Sequence, residues 1–151
     1  MGLKISSLGI GTYVGEPDDI TDYLLYDAIK TSVLSGGINH IDTAPNYRYT
    51  KSEKTVGRIL TTLDNKYGIT RDQLFVATKG GYIPEDAEKM ISRTDEMRRM
   101  VKNLGIPEDQ IVKESGHCIH PKFLKDQIES SLTRLNCEAV DVYYLHNAYE
   151  A

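Results

Sequence analysis

An α/β fold built on parallel strands is what this sequence predicts, and two observations carry the prediction. Segments of strand character alternate with segments bearing a helical apolar stripe, from one end of the chain to the other. Three of the strand segments also end in a polar, titratable residue, which a buried parallel strand would not otherwise choose. Composition fits a globular domain: of 151 residues, 40% are hydrophobic and 26% charged. The net charge is −4 with no basic cluster, which argues against nucleic acid or an anionic membrane surface as a partner. Neither a membrane span nor a signal-peptide core is expected, since no apolar run approaches the required length.

Residues 5–13 read as the first strand, with Gly9 and Gly11 in it. Over 19–35, Ile20, Leu24, Ala28, Ile29, Ser32 and Val33 form the stripe of an amphipathic helix, which Gly36-Gly37 ends. A second strand follows at 38–43. Thr50-Lys51-Ser52-Glu53 has the form of a capping box and opens a helix whose apolar face is Val56, Ile59, Leu60 and Leu63. Residues 64–72 read as a polar connection and 74–78 as the third strand. The charged stretch at about 84–116 reads as an insertion lying over the surface, with one helical stripe of Met97, Met100, Val101 and Leu104. Pro121 starts another helix, with Leu124, Ile128, Leu132 and Leu135 on one side, and 140–145 is the fourth strand.

The chemistry is expected at the carboxyl ends of the strands, where parallel α/β proteins bind ligands. Asp42, Lys79 and His146 close the second, third and fourth strands, and Tyr47 lies in the loop above the second. Singly, each has a structural alternative: a turn-capping aspartate, a solvated lysine, a hydrogen-bonded histidine. Independent structural roles need not recur at the same end of three consecutive strands, so jointly the functional reading is favoured. Tyrosine is a weak acid, and an ammonium beside it favours the ionised phenol. Asp42 would keep Lys79 charged and oriented, and His146 would face the substrate oxygen or tune Tyr47. The set could protonate a carbonyl oxygen as a hydride reaches its carbon.

Several blocks resemble the aldo-keto reductase family. They are Leu8-Gly9-Ile10-Gly11-Thr12-Tyr13, Gly37-Ile38-Asn39-His40-Ile41-Asp42-Thr43-Ala44-Pro45-Asn46-Tyr47, Lys51-Ser52-Glu53 with Val56-Gly57, Phe75-Val76-Ala77-Thr78-Lys79, and Val140-Asp141-Val142-Tyr143-Tyr144-Leu145-His146-Asn147. The resemblance implies a (β/α)8 TIM barrel, with residues 1–151 covering roughly its first four β/α units. A complete barrel usually needs about 250 residues. It also implies an NADPH-dependent oxidoreductase that interconverts an aldehyde, ketone or aldose with an alcohol. The catalytic set carries over as Asp42, Tyr47 (proton donor), Lys79 and His146, and the cofactor contacts as Gly11, Thr12, Tyr13 and Asp42. In the family, the Ser-Asn that grips the carboxamide and the residues that hold the phosphates would lie beyond Ala151. The isolated chain is therefore expected to bind NADPH weakly. The family often has glycine directly after the tyrosine, where this chain has Arg48-Tyr49.

Four strands alone would leave two open edges and an apolar inner face, which asks for a C-terminal half or for self-association. A non-catalytic half-barrel or accessory subunit, as some relatives provide for ion channels, is the alternative reading. The small-molecule partner expected is a carbonyl compound or sugar. Two cysteines, Cys118 and Cys137, and no Asn-x-Ser/Thr acceptor suit a reducing cytoplasm. His117-Cys118-x-His120 offers too few ligands for zinc, so no metal is expected. Gly9-x-Gly11-x-x-x-Gly15 runs into Glu16-Pro17-Asp18, whose carboxylates would repel a phosphate. Tyr49 and Tyr82 could line a substrate mouth, with simple surface packing the favoured reading for Tyr82. The start Met1-Gly2-Leu3-Lys4-Ile5-Ser6 satisfies the loose myristoylation pattern, but it runs directly into a strand and is expected to stay unmodified.

Overall fold

The computed structural model describes residues 4–150; Gly2 of the acylation pattern lies outside them. Four strands, β1 (Gly9–Gly11), β2 (His40–Asp42), β3 (Phe75–Gly80) and β4 (Val142–Leu145), form one sheet in chain order. Every adjacent pair is parallel. The order never reverses, as it would in a doubly wound sheet, so each helix returns the chain to the next strand along, as in a barrel wall. The helices are α1 (Asp19–Leu34), α2 (Lys51–Tyr67), α3 (Arg93–Leu104) and α4 (Pro121–Leu135). No helix among the described residues is long and apolar enough to cross a membrane.

Strand alternation sorts the side chains onto two faces. Ile41 and Val76 join Ile29, Val33, Val56, Ile59, Leu60, Leu63, Leu74 and Leu135 in a core between sheet and helices. Asp42 and Lys79 alternate to the other face, at the carboxyl ends of β2 and β3. A second core of Ile83, Met100, Ile106, Ile111, Cys118 and Phe123 gathers α3 and its flanking loops against the start of α4. The 84–116 stretch thus has an apolar interior of its own beneath its charged surface.

Three local expectations fail, each for a tertiary reason. Only Gly9–Gly11 of residues 5–13 pairs as a strand. Before it, Ser6 and Asn39 exchange hydrogen bonds through their side chains; after it, the Thr12 amide and hydroxyl both donate to the Asp42 carbonyl at 3.1 Å. In α1, Ile20 and Leu24 are exposed, whereas Asp22, Ile29 and Val33 are buried. Arg48 draws Asp22 inward and so sets the rotation of the first turns. The capping box at α2 does not form. Thr50 takes a left-handed conformation without a side-chain cap, and Glu53 turns into the interior.

There the Glu53 carboxylate accepts from the Thr78 hydroxyl (2.7 Å) and from Arg134 Nε (2.5 Å), joining α2, β3 and α4. The helices meet closely at Gly57, where an added Cβ would stand 2.3 Å from the Arg134 carbonyl oxygen. A buried carboxylate is tolerable only when paired, and removing one partner of such a pair costs about 3–5 kcal/mol. Glu53→Ala strands the Arg134 guanidinium and should lower the unfolding free energy by about that amount in urea denaturation. Gly57→Ala should also destabilise, by about 1–3 kcal/mol, because the opposing atoms are backbone.

Candidate active site

The parallel register carries the sequence-predicted residues to one rim. Asp42 ends β2, Lys79 lies near the end of β3, and His146 directly follows β4. Lys79 Nζ donates to Asp42 Oδ2 at 2.6 Å and to the Thr43 carbonyl at 3.0 Å. The same ammonium stands 4.6 Å from the centroid of the Tyr47 ring. His146 meets that ring edge-on at 5.7 Å, and Tyr13 packs on it at 5.1 Å. Tyr47 is 8% exposed, so its ring is enclosed by these neighbours rather than solvated. The four residues Asp42, Tyr47, Lys79 and His146 therefore occupy one cluster, with the Lys79 charge balanced by Asp42.

Of the residues expected against a cofactor, Thr12 is buried and hydrogen-bonded to the Asp42 carbonyl, while Tyr13 is exposed beside Tyr47. Gly11 pairs with Asp42 in the ladder, and an added Cβ there would touch nothing within 4 Å. Tyr49 is half-exposed. Tyr82 lies against His146 at 4.9 Å, and its hydroxyl is held by the Glu150 carboxylate.

Sequence reasoning missed two supports of this cluster. His117, expected only as a fragment of a metal motif, is fully buried and its Nε2 meets the His146 carbonyl oxygen at 2.6 Å. It packs where Gly81 has no side chain: φ there is +122°, and a Cβ would come within 2.6 Å of the His117 ring. The glycine pair after Lys79 was the available signal. The second support is Arg48, which is 6% exposed. It hydrogen-bonds the Glu16 carbonyl (2.9 Å), the Asp18 carbonyl (3.2 Å) and Asp22 Oδ1 (2.5 Å).

Arg48 also opens a left-handed turn. Arg48, Tyr49 and Thr50 have φ of +52°, +56° and +73°, three consecutive non-glycine residues in a region that costs on the order of 1 kcal/mol each. A glycine after Tyr47 would adopt this conformation freely, which gives a physical reason for the residue that the resemblance leads one to expect there. Burial pushes the Asp22 carboxyl upward, but hydrogen bonds from Arg48 and Lys51 outweigh it, and its pKa ends below the ordinary value.

With this geometry in place, a sequence model described as the Aldo/keto reductase family matches residues 7–151. The chain belongs to that family. It is 29% identical over 149 residues to the NADH-specific methylglyoxal reductase of Escherichia coli K12, covering 95% of this chain and 39% of that protein. It is 26% identical over 151 residues to Aldo-keto reductase YhdN of Bacillus subtilis 168, covering 96% of this chain and 35% of that protein. The chain thus spans less than two fifths of the length of these relatives. Among solved structures, it matches an aldo-keto reductase in complex with NADPH at TM-score 0.58 and 22% identity, over 93% of this chain and 32% of that one. A thermostable aldo-keto reductase with the inhibitor epalrestat matches at TM-score 0.57 and 22% identity, over 94% and 38%. These structural likenesses establish the fold: four consecutive β/α units of a TIM-barrel family.

Burial, and next the nearby Lys79 ammonium, hold the His146 pKa below its usual value. His146 should therefore titrate by NMR below the ordinary histidine midpoint of about 6.5, and Lys79→Met should move that midpoint upward. The unfolded chain binds the proton first, so the His146 contribution is complete above about pH 6.5 and is lost as pH falls toward the folded midpoint. His146→Asn should flatten that acid limb in urea melts.

Proposed function

We propose that this aldo/keto reductase domain carries the proton-transfer half of a nicotinamide-dependent oxidoreductase. The reaction interconverts a carbonyl compound (aldehyde, ketone or aldose) and an alcohol, with Tyr47 as proton donor. One observation supports this most: Lys79 is bonded to Asp42 while its ammonium lies 4.6 Å from the Tyr47 ring, with His146 edge-on to the same ring. Tyr47 would give its phenolic proton to the carbonyl oxygen. The Lys79 charge stabilises the phenolate left behind, and Asp42 keeps that charge in place. His146, held neutral near pH 7, can donate a ring N–H to the same oxygen and orient it.

The rim residues fit the polar end of a nicotinamide cofactor. Asp42 Oδ2 takes Lys79, while Oδ1 makes no hydrogen bond among the described residues. Thr43 Oγ1, Asn46 Oδ1 and His146 Nδ1 are buried on rim segments with no hydrogen-bond partner among the described residues. Asp42, with Gly11, Thr12 and Tyr13 beside it, would hold the nicotinamide ribose. When bound, the reduced nicotinamide supplies the hydride. NADPH is the cofactor proposed, and a relative named as NADH-specific makes NADH the necessary comparison. Small α-oxoaldehydes join simple aldehydes, ketones and sugars as the substrates to test.

A second reading has its own observation. Within the described sheet β1 and β4 each lack a neighbour on one side, and Leu8, Val14, Tyr144 and Leu145 are exposed nearby. This supports a surface covered by further barrel strands, as the catalytic reading requires, or by a second copy of the chain, in which case the domain acts through association rather than catalysis. Light scattering of the 151-residue chain tests self-association, with a dimer expected and a dilution-stable monomer against it. For catalysis, Tyr47→Phe in the full-length protein should lower kcat by about 10²–10⁴-fold with NADPH or NADH and a carbonyl panel. Unchanged turnover would remove Tyr47 as the acid.

A further inference from the structure

Directly beyond Tyr47 the chain takes its most constrained path, and the residue there is not the one its backbone favours. Arg48 holds φ +52°, which glycine would adopt without strain, so the backbone gives no reason for an arginine. Its side chain does. The guanidinium is buried, with all three of its acceptors in one segment: the Glu16 and Asp18 carbonyls and the Asp22 carboxylate. That segment leads from β1 into α1, and its beginning carries Tyr13, the ring that packs on Tyr47. One planar fork therefore ties the residue after Tyr47 to the loop that carries Tyr13.

Asp22 is the centre of the tie. Besides Arg48 it accepts from the Thr55 hydroxyl (3.2 Å) and from Lys51 Nζ (3.1 Å), both on the first turns of α2. Lys51 and Lys54 then reach Glu88 at 3.4 Å and 2.7 Å, and Lys54 reaches Asp86 at 3.2 Å, which brings the 84–116 stretch against the same helix start. The turn and the helix start beside it are thus tied to the β1–α1 segment and to the 84–116 stretch.

We propose that Arg48, seated on Asp22, is a positioning residue that fixes the Tyr47 hydroxyl for proton transfer, with no contact of its own to substrate. This rests on the reading of Tyr47 as the proton donor. Displacing a reacting group by about 1 Å can cost about 10²-fold in rate, so a loosened turn should act on kcat. A support needed only for folding should act on stability instead.

The experiment compares Arg48→Gly, Arg48→Lys, Asp22→Asn and Tyr47→Phe in the full-length protein, each by melting temperature and steady-state kinetics. Arg48→Gly should melt within about 5 °C of the parent, since glycine relieves the left-handed strain that the lost side chain offset. Its kcat should fall about 10- to 100-fold while KM for the carbonyl changes less than about threefold. The solvent deuterium isotope effect on kcat should rise as proton transfer becomes limiting. Guanidinium ion at non-denaturing concentration should restore part of the rate to Arg48→Gly, and Arg48→Lys should fall between. Asp22→Asn should show the same kcat loss without altering the turn sequence, and it decides the matter if the glycine variant is poorly folded. If Tyr47→Phe is inactive while Arg48→Gly and Asp22→Asn keep kcat within about twofold, the positioning role is overturned and the function reading stands. Rate losses that merely follow the folded fraction, without rescue by guanidinium, also overturn it. An active Tyr47→Phe removes both.

Discussion

A single buried carboxylate, that of Glu53, holds the frame in which the rim is built. It is completely excluded from solvent and bonded to Thr78 on β3 and Arg134 on α4. Burying a charge is costly unless geometry and partners compensate, and here two charge-assisted bonds from different elements do so. Thr78 immediately precedes Lys79, so fixing Thr78 on the helix side of β3 obliges Lys79 to project from the opposite face. Glu53 also lies in the first turn of α2, a few residues after Tyr47. One side chain thus sets both the direction of the lysine and the start of the helix that follows the tyrosine.

On the opposite face the electrostatics follow from that placement. Lys79 approaches the tyrosine ring already paired with Asp42, so the cluster carries no uncompensated cation, while a positive centre remains beside the phenol. Burial, and next the same ammonium, lower the His146 pKa and so favour its neutral form. A neutral imidazole keeps both a donor and an acceptor nitrogen. His117 and Tyr82 pack around it, with His117 bonded to its backbone carbonyl and Tyr82 against its ring. The histidine is therefore held by its main chain and by T-shaped ring contacts, with no hydrogen bond to its ring nitrogens among the described residues.

The parallel architecture and the rim were legible because both rest on patterns of short range. Strand periods, the glycines after α1 and the polar residues closing β2, β3 and β4 are visible without tertiary information. What was not legible depended on partners distant in sequence. Ile20 and Leu24 read as the buried face of α1, but Arg48, twenty-six residues after Asp22, rotates the aspartate inward instead. Glu53 reads as a local capping residue, and its actual partners are Thr78 and Arg134. The charged composition of 84–116 concealed an apolar interior of Met100, Ile106 and Ile111, because these three with Ile83, Cys118 and Phe123 suffice for a small core.

Violations of local preference are densest in one segment, although Met90, Asn136 and Asn147 also take positive φ. The unformed capping box, the three left-handed residues and the unpartnered Thr43 and Asn46 oxygens all fall between residues 43 and 53. A sequence whose local choices agree with its fold elsewhere is expected to depart from them where function imposes geometry. Two changes would relax this segment: glycine at Arg48 removes strain, and a capping box at α2 requires another Glu53 rotamer with Thr50 returned to an extended backbone. Each relaxation, however, would free something the rim uses. The first would release the turn behind Tyr47 from the loop that carries Tyr13. The second would release Thr78, and with it the strand that aims Lys79.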